Sequence, residues 1–365
     1  MHLRLGSRGS KLALWQSRHI AALLDANGHT TEIVLIRTTG DRMQDPAYAA
    51  THPVTPELDN KGIFIKEIEE ALLAGTIDLA VHSLKDLPTT LDERFALPAI
   101  PERADPRDAL LCPDWLQLHT LPEGARVGTT SPRRVAQLKA HRPDLQFVPI
   151  RGNIDTRIRK LASGQCDALV LACAGVDRLG PGLLRPVELD PQHPEFGRDP
   201  HIECVTHPDH DHLAHMEQGE ELPGQTDWIR ERFDPAVLCP APGQGALAIE
   251  TLAHATQVIA AIAPLDNPTT RFAVEAERWL LNGLGGGCSL PVGALCTVRD
   301  GLATLQANVT APDGERMITL TEQAASEESA EVFGTRVADH LASLGALALL
   351  SGEDVLDGEF AETLR

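Results

Sequence analysis

The sequence predicts an α/β protein with two doubly wound open-sheet domains and a smaller α+β domain at the C-terminus. Apolar strand-like segments alternate with amphipathic helical segments between residues 3 and 88, and the alternation returns between residues 126 and 172. After residue 268 the order becomes one long helix, a glycine-rich loop, strands and a helix. Regular alternation of strands and helices is typical of open sheets.

The first domain opens with a strand and a capped helix. Ser10 precedes a run whose apolar residues recur at helical spacing, which predicts that Ser10 caps this helix. Pro88 stops the segment that follows the last strand. The elements expected are a strand at 3–6, the helix after Ser10, a strand at 32–37, a helix at 62–73 and a strand at 77–81.

The second domain repeats this order of elements without repeating the sequence. The elements expected are a strand at 126–128, a helix at 132–140, a strand at 146–150, a helix at 154–161 and a strand at 168–172. Residues 182–238 are rich in Pro, His, Asp and Glu and predict a long surface insertion. We therefore expect a first domain at 1–101 with 242–264, a second at 105–240 and a third at 268–365.

The insertion contains a cluster of histidines, which are His207, His210, His212 and His215. Such a cluster could bind a metal ion such as zinc. The alternative is a polar surface loop, which we favour, so no metal site is predicted.

Composition limits the possible functions. The chain has 365 residues, of which 42% are apolar and 23% charged, and its formal net charge is -20. This acidity opposes binding to nucleic acid, so an anionic ligand needs a local basic patch. Its seven cysteines have no CxxC spacing, and neither a leader nor an 18-residue apolar run is visible, so we expect a cytoplasmic protein without a membrane span.

A basic patch is predicted where the strands end. Ligands of open α/β sheets bind beyond the carboxyl ends of the strands. The segments that follow the predicted strand ends are all polar and all carry cations, and they are Ser7–Ser10, His82–Asp86, Thr129–Arg134 and Arg151–Asn153.

The segment Thr129–Arg134 has the composition of an anion site. Ser131 can cap a helix, Pro132 suits its first position, and the free amides there can join two guanidiniums around a carboxylate or phosphate. A capped surface helix with solvated arginines is the alternative. The similar construction at Ser7–Ser10 favours anion binding.

Two further positions suggest chemistry. Lys85 and Asp86 emerge side by side after a strand, where the carboxylate could hold a cationic or N–H-rich group, although a simple turn is the alternative. Cys288 follows three glycines, and these allow a ligand to approach the backbone closely. This thiol could form a covalent bond or be incidental to a flexible loop.

Taken together, these motifs resemble the porphobilinogen deaminase (hydroxymethylbilane synthase) family. The resemblance runs from residue 3 to about 300, interrupted mainly by 182–238, and is weaker after Pro291. The motifs that carry it, in family order, are Gly6–Gln16, Asn60–Glu67, Val81–Pro88, Arg103–Ala109, Val127–Arg134, Arg151–Arg157, Ala241–Ala246 and Gly286–Cys288.

The resemblance implies two lobes of the periplasmic-binding-protein-like type and a transferase that condenses four porphobilinogen molecules with release of ammonia. It implies a dipyrromethane cofactor linked to Cys288 through a thioether, with Asp86 as the catalytic carboxylate. A fixed carboxylate stabilises the positive charge that develops when ammonia leaves. The family also implies a monomer.

The resemblance further assigns residues to the carboxylates of cofactor and substrate, for which arginine is well suited. The cofactor-binding residues implied besides Cys288 are Lys61, Ser83, Lys85, Thr129, Ser131, Arg133 and Arg134. Those implied for substrate are Arg8, Ser10, Arg151, Arg157 and Gln244.

The sequence departs from the family pattern at two positions, and two other functions are compatible with parts of it. Gly285 stands where many members have Glu, and Glu57 stands near a position where members often have Lys. A two-lobed binding protein for small anions would also have a polar cleft, but it would need neither Asp86 nor Cys288. An inactive homologue is the other rival, and the intact Asp86, Cys288 and arginine set argues against it.

Overall fold

The computed structural model describes residues 1–42, 64–114, 116–180, 202–205, 228–287 and 290–351. Within these ranges the chain forms a six-stranded open sheet, a five-stranded open sheet and a three-stranded sheet. This arrangement confirms the predicted fold class, α/β with two open sheets and a smaller third domain. No helix in these ranges is long and apolar enough to cross a membrane.

The secondary structure is as follows. The strands are β1 (His2–Ser7), β2 (Thr30–Ile36), β3 (Leu79–Ser83), β4 (Phe95–Ala99), β5 (Asp108–Leu111), β6 (Arg126–Gly128), β7 (Gln146–Val148), β8 (Ala168–Ala172), β9 (Ile202–Val205), β10 (Ile229–Arg232), β11 (Leu247–Leu252), β12 (Val292–Arg299), β13 (Leu302–Thr310) and β14 (Met317–Gln323). The helices are α1 (Lys11–Ala26), α2 (Thr39–Arg42), α3 (Lys66–Leu73), α4 (Pro132–His141), α5 (Ile154–Ala162), α6 (Cys173–Leu179), α7 (Thr256–Ile262), α8 (Pro268–Gly283), α9 (Ala330–Ser343) and α10 (Ala346–Ser351).

The first sheet has the order β4-β11-β3-β1-β2-β9. Its strands β1, β2 and β3 are parallel, whereas β11 is antiparallel to β3 and β4. Helices cover both faces, because Leu5 of β1 packs with Ile20 of α1 and Ile36 of β2 packs with Leu72 of α3. Ser10 caps α1 as predicted, its hydroxyl accepting from the Ala13 amide at 3.3 Å.

The second sheet has the order β10-β5-β8-β6-β7. Strands β6, β7 and β8 are parallel, and β5 is antiparallel to β8. Val127 of β6 packs with Leu138 of α4 on one face, and Leu169 of β8 packs with Ile158 of α5 on the other. This sheet is therefore also doubly wound.

The third sheet is an antiparallel meander of β12, β13 and β14. Helices α8 and α9 pack on it through a core that includes Leu280, Leu305 and Phe333. The long helix predicted after residue 268 is α8.

Two of the segments that pass between the open sheets lie after β4 and before β11, and we call these two the crossing segments. The two crossing segments touch, since the Ala104 amide donates to the Gly245 carbonyl at 3.2 Å. Gly245 has φ of +92°, and a Cβ there would lie 2.6 Å from the Ala104 oxygen. A side chain at position 245 is therefore excluded by both conformation and space.

The segment 182–238, predicted as a surface insertion, enters the fold at two places. Strand β9 lies beside β2 at the edge of the first sheet, and β10 lies beside β5 at the edge of the second. Phe233, which directly follows β10, is fully buried. The surface prediction is wrong here because the charged side chains of β10 find partners, such as Arg232 with Asp177 at 2.6 Å. The four clustered histidines lie outside the described residues.

Candidate active site

The candidate site lies where the central strands of the first sheet end. Strands β1 and β3 are parallel neighbours, with Gly6 opposite Ala80. Arg8, which follows β1, and Asp86, which follows β3, therefore emerge at the same edge. Asp86 ends a short 3-10 turn, Leu84–Asp86, and its side chain is exposed.

Two strands that run in the opposite direction begin at these edges. Leu247 of β11 is opposite Ser83 of β3, so Gln244, just before β11, lies beside the turn that holds Asp86. Asp108 begins β5 and is opposite Ala172 at the end of β8. The antiparallel strands β11 and β5 therefore bring Gln244 and Asp108 to the edges at which the parallel strands end.

Asp108 binds both arginines of the Thr129–Arg134 segment. Its carboxylate is fully buried, with Arg133 Nη2 at 2.7 Å from Oδ2 and Arg134 Nη2 at 2.7 Å from Oδ1. Burial alone would raise the pKa of Asp108, but the charges of Arg133 and Arg134 outweigh it and hold the pKa well below its usual range. Both guanidiniums are therefore oriented by this carboxylate.

Arg133 and Arg134 differ in what their other nitrogens contact. Arg134 Nη1 donates to the Val170 carbonyl at 3.0 Å, and Arg133 Nη1 donates to the Cys239 carbonyl at 2.5 Å. Arg133 Nε is buried without a hydrogen-bond partner among the described residues. The predicted contacts of these two arginines with a cofactor stay predictions.

Gln244 connects this cluster to Lys85. Its side-chain nitrogen donates to Asp108 Oδ1 at 3.0 Å, and its oxygen accepts from Lys85 Nζ at 3.3 Å. Burial lowers the pKa of Lys85 to about 8, although the negative charge of Asp86 favours the protonated form. Lys85, Gln244, Asp108, Arg133 and Arg134 form one polar chain between the two open sheets, which we call the bridging network.

Asp86 also faces the second domain. The pKa of Arg157 is lowered by burial and by the charge of Arg134, and the charge of Asp86 opposes that shift. Arg157 Nε donates to the Gly152 carbonyl at 2.7 Å. Asp86 itself has no hydrogen bond or ion pair with any described residue. An open carboxylate thus lies near cations from both domains.

Arg8 has a separate arrangement. Its Nη2 lies 2.6 Å from Asp41 Oδ1, and its guanidinium stacks 3.7 Å from the centre of the Phe64 ring. Ser10 serves as the cap of α1. A contact of either residue with substrate stays a prediction.

The remaining predicted positions line the same edges. Ser83 accepts a hydrogen bond from Gln16 Nε2 at 3.0 Å. Thr129 is buried and its hydroxyl accepts from the Ser131 amide at 3.2 Å, while Ser131 caps α4. Arg151 is exposed, and Lys61 and Cys288 lie outside the described residues.

Several residues of the site were not found from the sequence. Asp108, Asp41 and Gln16 act as partners of predicted residues from distant parts of the chain, and only the tertiary structure reveals them. Arg178 of α6 donates to the Gly245 carbonyl at 2.7 Å, and burial lowers its pKa to about 10. The described residues contain no group of His, Cys, Asp and Glu side chains arranged to hold a metal ion.

Comparison with known proteins gives consistent matches. A family profile described as porphobilinogen deaminase, dipyromethane cofactor binding domain, matches residues 3–194, and one described as porphobilinogen deaminase, C-terminal domain, matches residues 271–343. The porphobilinogen deaminase of Roseiflexus castenholzii is 40% identical over 96% of this chain and 99% of its own length. That of Acidothermus cellulolyticus is 42% identical over 95% of this chain and 91% of its own.

Among solved structures, the methionine binding protein MetQ is 11% identical with a TM-score of 0.38. The match covers 72% of this chain and 89% of that chain.

Proposed function

Because the chain belongs to the porphobilinogen deaminase family, we propose that the cleft around Asp86 joins four porphobilinogen molecules head to tail into hydroxymethylbilane. Family membership makes the chain a transferase of tetrapyrrole (haem) biosynthesis with hydroxymethylbilane synthase activity. The observation that supports this cleft as the site is the open carboxylate of Asp86 near Lys85 and Arg157, whose pKa values respond to its charge.

Lys85 and Arg157 are suited to hold the carboxylates of the substrate. Each porphobilinogen carries an acetate and a propionate, so a growing chain gains two negative charges with every ring. Burial disfavours the charged forms of Lys85 and Arg157, and a carboxylate beside them offsets that cost. Arg151, exposed at the rim, is placed to attract such anions from solution.

Asp86 would stabilise the positive charge that forms on the substrate during the reaction. When ammonia leaves porphobilinogen, the remaining pyrrole carries positive charge, and a carboxylate held nearby lowers the energy of that state. The same group can accept and return protons during coupling. Its position at the end of a short turn, with no partner among the described residues, leaves both oxygens available to the substrate.

The side chains present fit a dipyrromethane cofactor. Arg133 Nε is a buried donor without a described partner, and the two charges of Arg133 and Arg134 exceed the one charge of the Asp108 that they share. We propose that Lys85, Arg133 and Arg134 hold cofactor carboxylates, with Ser83, Thr129, Ser131 and Lys61, and that Cys288 carries the thioether. When bound, a dipyrromethane supplies the primer from which the tetrapyrrole is extended.

The remaining assignments also belong to this proposal. We propose that Arg8, Ser10 and Gln244 join Arg151 and Arg157 in binding substrate. We propose the three domains expected from the sequence, except that β9, which falls within the range expected for the second domain, pairs with β2 of the first sheet. We also propose that the protein acts as a monomer in the cytoplasm. The net charge of -20 supports the monomeric state, because like-charged copies repel one another.

The proposal is tested by the intact mass of the purified protein under denaturing conditions. We expect a mass above that of the sequence by two porphobilinogen units less two ammonias, and the sequence mass alone in Cys288→Ala. A protein with the bare sequence mass, unchanged after incubation with porphobilinogen, would instead be a two-lobed anion-binding protein.

The role of Asp86 is tested by Asp86→Asn. The amide keeps the shape but removes the charge, so we expect kcat to fall by about a hundredfold or more. The unfolding midpoint should stay unchanged because Asp86 is exposed. Asp92→Asn, an exposed aspartate of the same domain that pairs with Arg94, is the control and should keep wild-type kcat. Equal rates for the two variants would remove Asp86 from the mechanism.

A further inference from the structure

Arg278 of α8 reaches from the third domain to the turn that holds Asp86. Its Nη1 donates to the carbonyls of Leu84 at 3.4 Å and Leu87 at 3.2 Å. Its Nη2 donates to the carbonyls of Pro88 at 2.5 Å and Thr89 at 3.3 Å. One guanidinium therefore contacts backbone oxygens on both sides of Asp86.

The Leu84 carbonyl also accepts from the Leu87 amide at 3.1 Å, whereas the other three carbonyls depend on Arg278. Within the described ranges, no backbone amide donates to the carbonyl of Leu87, Pro88 or Thr89. The segment after the 3-10 turn is thus held by a side chain rather than by a strand ladder. The planar guanidinium, with its several donors in a fixed fork, can contact spaced oxygens in a way that the single ammonium of lysine cannot.

A second contact joins the same two segments. Thr89 Oγ1 donates to Asn282 Oδ1 at 3.3 Å, and Asn282 lies one helical turn after Arg278 on α8. Beyond the helix, Gly286 lies so close that a Cβ on it would be 3.3 Å from Thr89 Oγ1. The loop that leads to Cys288 therefore begins in contact with the segment that follows Asp86.

We propose that Arg278 is a positioning residue that holds the turn of Asp86 at a fixed place relative to the helix leading to Cys288. This inference rests on the proposed roles of Asp86 and Cys288. Asp86 belongs to the first domain and Cys288 to the third, so their relative position depends on contacts between these domains. Arg278 touches the backbone of the turn and not the substrate, so its effect is on placement of the carboxylate.

The test compares Arg278→Gln and Arg278→Lys with Arg336→Gln as control. Arg336 is an arginine of the same domain that pairs with Glu328, away from the turn. For each protein we would measure the fraction that carries the dipyrromethane by intact mass, and then kcat per loaded molecule and KM for porphobilinogen.

We expect Arg278→Gln to be loaded but to have kcat lowered about ten- to a hundredfold, because a misplacement of about 1 Å can cost that much. KM should change less than about threefold, since the cations that bind carboxylates remain. Arg278→Lys should recover part of the rate, and Arg336→Gln should match the wild type.

Wild-type kcat per loaded molecule in Arg278→Gln would overturn the inference, as would equal losses in Arg278→Gln and Arg336→Gln. If Arg278→Gln does not fold, Arg278→Lys takes its place, because it keeps the charge but loses the fixed fork of donors; wild-type kcat per loaded molecule in Arg278→Lys then overturns the inference. A wild-type protein with neither the added mass nor activity would refute the proposed function itself, which separates the two failures.

Discussion

At the scale of the residue, the cations of the cleft are distributed among different partners. Arg8 pairs with Asp41, Arg133 and Arg134 share Asp108, and Lys85 contacts Gln244. A side chain that already has a partner is fixed in direction before a ligand arrives, which reduces the entropy lost on binding. Lys85 differs from the arginines because its pKa lies close to neutral pH.

The pH dependence of catalysis should therefore report on Lys85. Its pKa in the protein alone is about 8, lowered chiefly by burial, and ligand carboxylates move it upward. Above that pKa the ammonium loses its charge, so we expect kcat/KM to decline on the alkaline side. In Lys85→Arg the decline should disappear below pH 10 or so, because a guanidinium stays charged.

Steady-state rates measured from pH 6 to pH 10 check this prediction. Lys139→Arg makes the same change on α4, where Lys139 packs against Gly314 of the third domain, and should keep the wild-type profile. An alkaline decline of the same shape in Lys85→Arg would show that another group is responsible.

The capping residues of the site could be predicted from the sequence, whereas the partners of its arginines could not. Ser10 and Ser131 act within three residues of their own positions, so local pattern suffices. Asp108 meets Arg133 from 25 residues away, and it does so only because β5 runs antiparallel to β8. Such a contact depends on topology, which a single sequence does not specify.

At the scale of the element, the strands that start at the cleft edges were the hardest to foresee. β5 supplies Asp108 and β11 brings in Gln244. Both are short interior strands that are buried along almost their whole length, and their sequences do not show in which direction they run. β10 was not predicted as a strand because Arg and Glu make up most of its sequence. The alternating strands and helices of the parallel part were predicted, since their periodicity is local.

Asp108 at the start of β5 should be a principal support of the second domain. We expect Asp108→Asn to lose about 3–5 kcal/mol of unfolding free energy at pH 7, because two buried arginines lose their counter-charge. Chemical denaturation measures this loss. Asp167→Asn, which removes the partly exposed partner of Arg126, is the matched control and should cost less than about 1 kcal/mol.

The loss of unfolding free energy in Asp108→Asn should also depend on pH, and it should become smaller in acid. The pKa of Asp108 is depressed below its ordinary value of 3.8, so its contribution is complete above about pH 4 and is lost as the pH falls through the lower folded value. The gap between wild type and Asp108→Asn should therefore narrow in acid. A gap that is constant from pH 7 to pH 3, or absent throughout, would contradict this account.

At the scale of the whole molecule, Glu277 of α8 joins the three domains. Its fully buried carboxylate accepts from Arg103 Nη1 at 2.6 Å and from the Gly243 amide at 2.7 Å, one on each crossing segment. It also accepts from the Cys296 amide of β12 at 2.8 Å. A single acidic side chain thus fixes both crossings to the third domain, and its neighbour Arg278 holds the turn of Asp86.

These contacts explain how side chains from separate sheets can keep fixed positions around one cleft. The bridging network connects the two open sheets, and α8 connects both crossings to the third sheet. The sequence predicted α8 as a helix but not as a junction, because Glu277 lies 174 residues from Arg103. Helical periodicity indicates which residues face a core and not which distant charge they meet there.

Glu277→Gln should therefore loosen the connection between domains more than it damages any one of them. The amide leaves Arg103 buried without its full counter-charge, so we expect a loss of about 3–5 kcal/mol in denaturation. Hydrogen exchange should become faster in both crossing segments, around residues 101–107 and 240–246, and stay unchanged in the centre of each sheet.

Glu275→Gln on the same helix removes only a half-exposed partner of Arg271 and should leave both measurements near wild type. Faster exchange that is confined to α8 itself, with protected crossings, would mean that Glu277 stabilises the third domain alone and that the crossings are held by other contacts.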